Sequence, residues 1–178
     1  MSLEYYSSTI TKKCAWEGCQ NGAGKGKYCP SCAKVAREKM KAIFAKSAEE
    51  RENREATWKA LYDKAHAAGM AALEAARPMP MVVQERQSPL DDASPVKKEW
   101  FVEGGVCGFA WVTIQPANCS FAIWLRKNTQ ASRGYYGGMQ LWVHEGGQSM
   151  QRKEAYASAF AKVCAEAGIK AYMGSRMD

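Results

Sequence analysis

Four cysteines near the start of the chain, Cys14, Cys19, Cys29 and Cys32, constrain its fold more than any other feature. Their spacing is Cys-x4-Cys, nine residues, then Cys-x2-Cys. Two thiolates a few residues apart can grip a metal ion from a tight turn, and two such pairs complete a tetrahedron. Gly22, Gly24 and Gly26 lie between the pairs and are expected to permit the reversal that brings them together. Four sulfurs fill the coordination sphere, so the expectation is one structural Zn2+ with no position left for water. Lys12, Lys13, Lys25 and Lys27 partly offset the negative charge of such a centre. The chain has seven cysteines, an odd number, which argues against a complete disulfide framework of the secreted kind. Cys107, Cys119 and Cys164 are left over and read as small buried hydrophobes.

A knuckle followed by a second pair at a helix start, Tyr28-Cys29-Pro30-Ser31-Cys32, resembles the treble-clef and zinc-ribbon group of small zinc modules. The resemblance covers residues 12–46. It implies a knuckle, a hairpin and a helix, and a module that binds DNA, RNA or protein or braces a neighbouring domain.

Charge is concentrated on the same stretch. Residues 12–46 carry nine basic residues against Glu17 and Glu38, an excess equal to the net charge of +7 for the whole chain. A basic field of this kind is a footprint for a polyanion, and Lys12, Lys13, Lys25, Lys27, Lys34, Arg37 and Lys41 are the candidate phosphate contacts. The bland alternative is a charged surface that only keeps the protein in solution.

The 178 residues, 47% hydrophobic, suffice for one moderate core plus a satellite module, or for two small domains. Pro30 suits a helix's first turn, and Ala36, Met40, Ile43 and Phe44 recur at helical spacing to about Lys46. Ser47-Ala-Glu-Glu50 matches a capping box, which leaves two arrangements open: a second helix from there, or one helix running straight through. Trp58, Leu61, Tyr62, Ala65, Gly69, Ala72, Leu73 and Ala76 form a stripe on one face. It packs on the protein's own core, or else is a seam for a partner protein or a second copy. Pro78, Pro80, Pro89 and Pro95 then read as a linker, with Met81–Val83 a short strand within it.

Beyond the linker the pattern is strand (100–102), strand (109–114), helix (120–127), strand (139–144), helix (149–167) and strand (169–173), punctuated by glycine pairs. The expected class is α+β: a zinc module with its first helix (1–46), an amphipathic helix (47–77), a Pro-rich linker (78–98) and a compact α+β domain (99–178).

No catalytic constellation is evident. A nucleophilic site would require Cys107 or Cys119 beside His144, and nothing in the spacing demands it; His66 reads as structural. Gln148–Ala157 gathers basic groups at a helix start, where free N–H groups favour an anion. That stretch resembles the last helix start of double-stranded-RNA-binding domains, which implies phosphate contacts at Arg152 and Lys153. It departs from that family in having a helix between the strands. Tyr135-Tyr136, after Arg133, would stack on bases if exposed, or cover the edge of the core. The C-terminal half, notably Gly105–Val112 and Gly147–Val163, is similar to small bacteriophage-encoded proteins of no assigned activity.

The function expected is therefore a non-enzymatic, zinc-stabilised nucleic-acid-binding protein. The alternative is a protein-interaction module that captures a host protein through the amphipathic helix. No apolar run is long enough to span a bilayer and no secretory signal is seen, so a cytoplasmic location is expected.

Overall fold

The computed structural model describes residues 12–23 and 26–178, so Lys25 and Gly24 lie outside the described residues. The class is α+β, as the alternation of periods implies. The order is α1 (Pro30–Ala75), β1 (Met81–Arg86), β2 (Val96–Val102), β3 (Gly108–Gln115), α2 (Ser120–Asn128), β4 (Ser132–Arg133), β5 (Met139–Trp142), α3 (Met150–Glu166) and β6 (Lys170–Met177). The chain divides into two compact units between Arg54 and Glu55, inside α1 rather than at the proline-rich stretch.

Of the two arrangements open for α1, the single helix is the one observed. Ser47 does not cap a second helix, because its hydroxyl donates to the Phe44 carbonyl one turn back. In the first unit, Met40, Ile43 and Phe44 are exposed and do not form the inner face their spacing suggests.

The second unit is built on a four-stranded antiparallel sheet of order β4-β5-β3-β6. Strand β3 is central, with Ala110, Val112 and Ile114 buried on one face. Phe121, Ala122 and Leu125 of α2, and Tyr156, Ala157, Phe160 and Cys164 of α3, complete the core with Ala65 and Leu73 of α1. The stripe beginning at Trp58 thus packs on its own unit's core, the first of its two readings. Where it meets α3 the residue is Gly69: a Cβ there would lie 2.7 Å from the Tyr156 ring. The two helices approach that closely because the position has no side chain.

The proline-rich stretch is a hairpin rather than a linker. Strands β1 and β2 pair antiparallel from Met81↔Val102 to Arg86↔Val96. Pro80 and Pro95 stand just before the two strands and Pro89 in the turn, so no ladder N–H is lost to them. The last strand runs four residues past the expected end, pairing with β3 as far as Met177↔Gly108. Among the described residues no helix is long and apolar enough to cross a membrane.

Candidate metal centre

The first unit folds around its cysteines. The chain runs from Cys14 through a turn that returns the Cys19 N–H to the Trp16 carbonyl at 3.1 Å. Gly18 holds a φ of 77° there, a conformation disfavoured for residues with a Cβ. Sequence reasoning assigned the reversal to Gly22, Gly24 and Gly26, but of the described glycines in this unit only Gly18 adopts a left-handed φ. A bridge between Lys13 and Gly22, with the Cys14 N–H on Asn21 and the Ala15 N–H on Lys27, closes the hairpin. Cys29 then accepts the first helical bond, from Ala33, and Pro30 opens α1.

This geometry brings all four sulfurs within 4.8 Å of one another. The Cys19 and Cys29 sulfurs are 3.8 Å apart, and all four residues are free thiols. Backbone N–H groups point at the cluster: Cys29 donates to the Cys14 sulfur at 3.3 Å and Cys32 to the Cys29 sulfur at 3.5 Å. Bonds of this kind favour a thiolate over a thiol. The Cys32 N–H, followed by the Cys32 side chain, lowers the Cys29 thiol from its ordinary 9.0 to about 7, against the effect of burial. The start of α1 adds a positive dipole end at the same place. The four cysteines are therefore a group able to hold one metal ion.

Burial says why such an ion matters. Among the described residues of this unit only Cys14, Ala23 and Cys29 are buried. Trp16 and Tyr28 meet edge to face at 6.0 Å and only partly shield the cluster. Among the described residues of this unit no apolar cluster is buried, and the sulfur cluster stands in that place.

The candidate cations lie on the hairpin and along the first turns of α1. Lys12, Lys13, Lys27, Lys34, Arg37 and Lys41 are all exposed, and none has an ion-pair partner among the described residues. Lys34, Arg37 and Lys41 follow one another at steps of three and four, on one face of α1. Arg37 and Lys41 border a shallow apolar groove of 370 Å³ floored by Tyr28, Ala36, Met40 and Phe44. Lys27 lies over the Tyr28 ring and Lys39 over the Trp16 ring, at 5.7 and 5.0 Å from the centroids. Sequence reasoning missed these two cation–ring pairs, although the aromatics beside Cys14 and Cys29 were a signal for them.

The second unit corrects one expectation. Arg152 is exposed at the start of α3, but Lys153 is buried, 7% exposed, and unavailable to a phosphate. Its ammonium donates to the Gly108 carbonyl at 3.0 Å and lies over the Phe109 ring. Tyr135 and Tyr136 do not cover a core edge: each is 93% exposed, and the two rings meet at right angles.

His66, Cys119 and Cys107 have structural partners. His66 bonds the Tyr156 hydroxyl and stacks on Tyr62. Cys119 caps α2, its sulfur accepting from the Ala122 N–H, and Cys107 approaches Asp178. Cys164 is fully buried, and burial pushes its thiol up to about 12. Neither Cys107 nor Cys119 is among the residues lining the cleft beside His144.

No protein-family model, curated protein or solved structure matches this chain.

Proposed function

We propose that the protein binds nucleic acid through a zinc-organised basic module and acts without catalysis. The observation that carries the reading is the set of exposed cations around the cysteine cluster, none of them spent in an ion pair among the described residues. Zinc is the metal of choice for four thiolates. Around zinc at about 2.3 Å, tetrahedral sulfurs stand about 3.8 Å apart, and the Cys19–Cys29 separation is 3.8 Å. A knuckle and a cysteine pair at a helix start also fit the treble-clef and zinc-ribbon plan.

The mechanism is charge neutralisation. Lysines and arginines replace condensed counterions along the phosphate backbone, and their release drives binding with little base specificity. The exposed rings of Tyr135-Tyr136 after Arg133, and the half-buried Tyr28 beside Lys27 in the module, favour a polymer with unstacked bases. Arg152 remains a phosphate contact in this reading; Lys153 does not.

The test is a titration of zinc-loaded protein with single- and double-stranded DNA and RNA at two salt concentrations. Binding that weakens steeply with salt, and weakens again when Lys34, Arg37 and Lys41 are changed to Gln, is the expected result. Absence of binding to all four polymers at low salt would refute the reading.

A further inference from the structure

The second unit holds a cleft of 790 Å³ that the proposed function does not use. Its size falls in the range of about 300–1,000 Å³ typical of small-molecule sites. Tyr62 from α1, Trp124 from α2 and Tyr156 from α3 line it. One face of each of two rings is already engaged: Tyr62 lies parallel to His66, and Trp124 parallel to Phe121. Tyr62 and Trp124 themselves stand 5.9 Å apart at 50°, so the two rings form an angled wall rather than a slot for a flat guest. Tyr156 is fixed by its hydrogen bond to His66 and by stacking against Phe160. The cleft is thus built on rings that the core holds in place.

Its charge is negative. The two carboxylates of the lining are Asp63 and Glu145. Asp63 is neutralised by Lys59, the lining's one lysine, at 2.6 Å. Glu145 has no ion-pair partner among the described residues; one of its oxygens accepts the His144 N–H at 3.1 Å. Its charge reaches both phenols: burial raises the Tyr62 and Tyr156 pKa values, and Glu145 raises them further. Aromatic rings attract a cation through their quadrupole, and an unpaired carboxylate beside them adds a directed charge. Anions are disfavoured by the same field, and a neutral guest would gain only apolar contact.

We infer that this cleft is a binding site for an alkylated organic ammonium, with Tyr62 and Trp124 as its aromatic wall, the buried Tyr156 as support behind them, and Glu145 as its counter-ion. The site is independent of the metal module and of any nucleic acid.

The test uses the full-length, zinc-loaded protein and follows Trp fluorescence and heat on titration with choline. A parallel titration uses dimethylbutanol, in which a carbon replaces the quaternary nitrogen. Choline is expected to bind about tenfold or more tightly than the neutral isostere, the scale of a desolvated cation–ring contact plus one charge. Glu145→Gln should remove most of that preference while the circular dichroism spectrum stays unchanged, and Trp124→Leu should weaken choline further. Equal affinity for the two compounds, no saturable choline binding, or a preference unaltered in Glu145→Gln would each overturn the assignment. So would tighter binding of adenosine monophosphate, the anionic aromatic control.

Discussion

Gly69→Ala is the sharpest test of how the second unit is assembled. The substitution adds one methyl to α1, directly opposite Tyr156. The added Cβ would stand 2.7 Å from two carbons of the ring and 3.0 Å from a third. Tyr156 cannot swing away cheaply, because it is 3% exposed, bonds His66 and packs on Phe160. Forcing a methyl into a packed core costs about 1–3 kcal/mol. Alanine in place of glycine within a helix returns about 1 kcal/mol. The net expectation is destabilisation by about 1 kcal/mol, or roughly 3–5 °C in Tm for a unit of this size. Removing the ring reverses the sign. In a Tyr156→Ala background the methyl enters the space the ring vacated, and Gly69→Ala should then stabilise by about 1 kcal/mol. Thermal unfolding of the four proteins of this cycle, followed by near-ultraviolet circular dichroism, measures both numbers. Gly69→Ala that stabilises the parent protein, or that costs the same in both backgrounds, would refute the close approach of α1 to α3.

A strong zinc chelator should abolish amide-exchange protection across residues 12–32 and leave that of β3 and α3 intact; unchanged protection at Cys14 and Cys29 would argue against a metal-held unit. Changing Lys34, Arg37 and Lys41 together to Gln should reduce the slope of log affinity against log salt by about 2–3, as three lost phosphate contacts require. Stability should fall as pH rises above 9: the unfolded chain loses the Cys164 proton near its ordinary 9.0 while the folded chain keeps it to about 12, and Tyr62 and Tyr156 add to the fall above 10. Above pH 10 Tyr156→Phe should show a shallower decline, and denaturant titrations across that range decide it. At pH 8 a small thiol reagent should leave Cys164 unlabelled in the folded, metal-loaded protein and label it once denaturant is added, which mass spectrometry reads directly.

Beyond residue 99, glycine pairs set off β3, β5 and α3 and the single Gly168 sets off β6, whereas α2 is marked only by its change of apolar period and the two-residue β4 carries no pattern. The proline-rich stretch has a linker's composition but a hairpin's proline positions. Pro80 and Pro95 precede strands and Pro89 sits in the turn, so all three mark ends, where a missing N–H costs nothing. The burial of Lys153 follows from the helical spacing of its neighbours. Lys153, Tyr156, Ala157, Phe160, Ala161 and Cys164 recur at helical spacing, and all are buried on one face of α3. A lysine in such a stripe buries its stem and must find an acceptor for its ammonium, here the Gly108 carbonyl. The cleft was not legible at all, since its wall joins residues of α1, α2 and α3 that no local pattern relates.

The two units differ in what holds them, and that difference separates the two proposed binding activities. In the first, the buried ones among the described residues are two cysteines and one alanine, so a bound metal would hold the hairpin that carries Lys12, Lys13 and Lys27. In the second, an apolar cluster from three helices and a sheet does the same work with no ion. Metal loss should then scatter the hairpin cations Lys12, Lys13 and Lys27, and with them most of the nucleic-acid affinity, while the aromatic wall of Tyr62 and Trp124 persists. Choline affinity that survives chelation, alongside nucleic-acid affinity that does not, is what two independently stabilised sites require. Loss of both together would mean that the cores are coupled through α1, the one element whose residues belong to each unit.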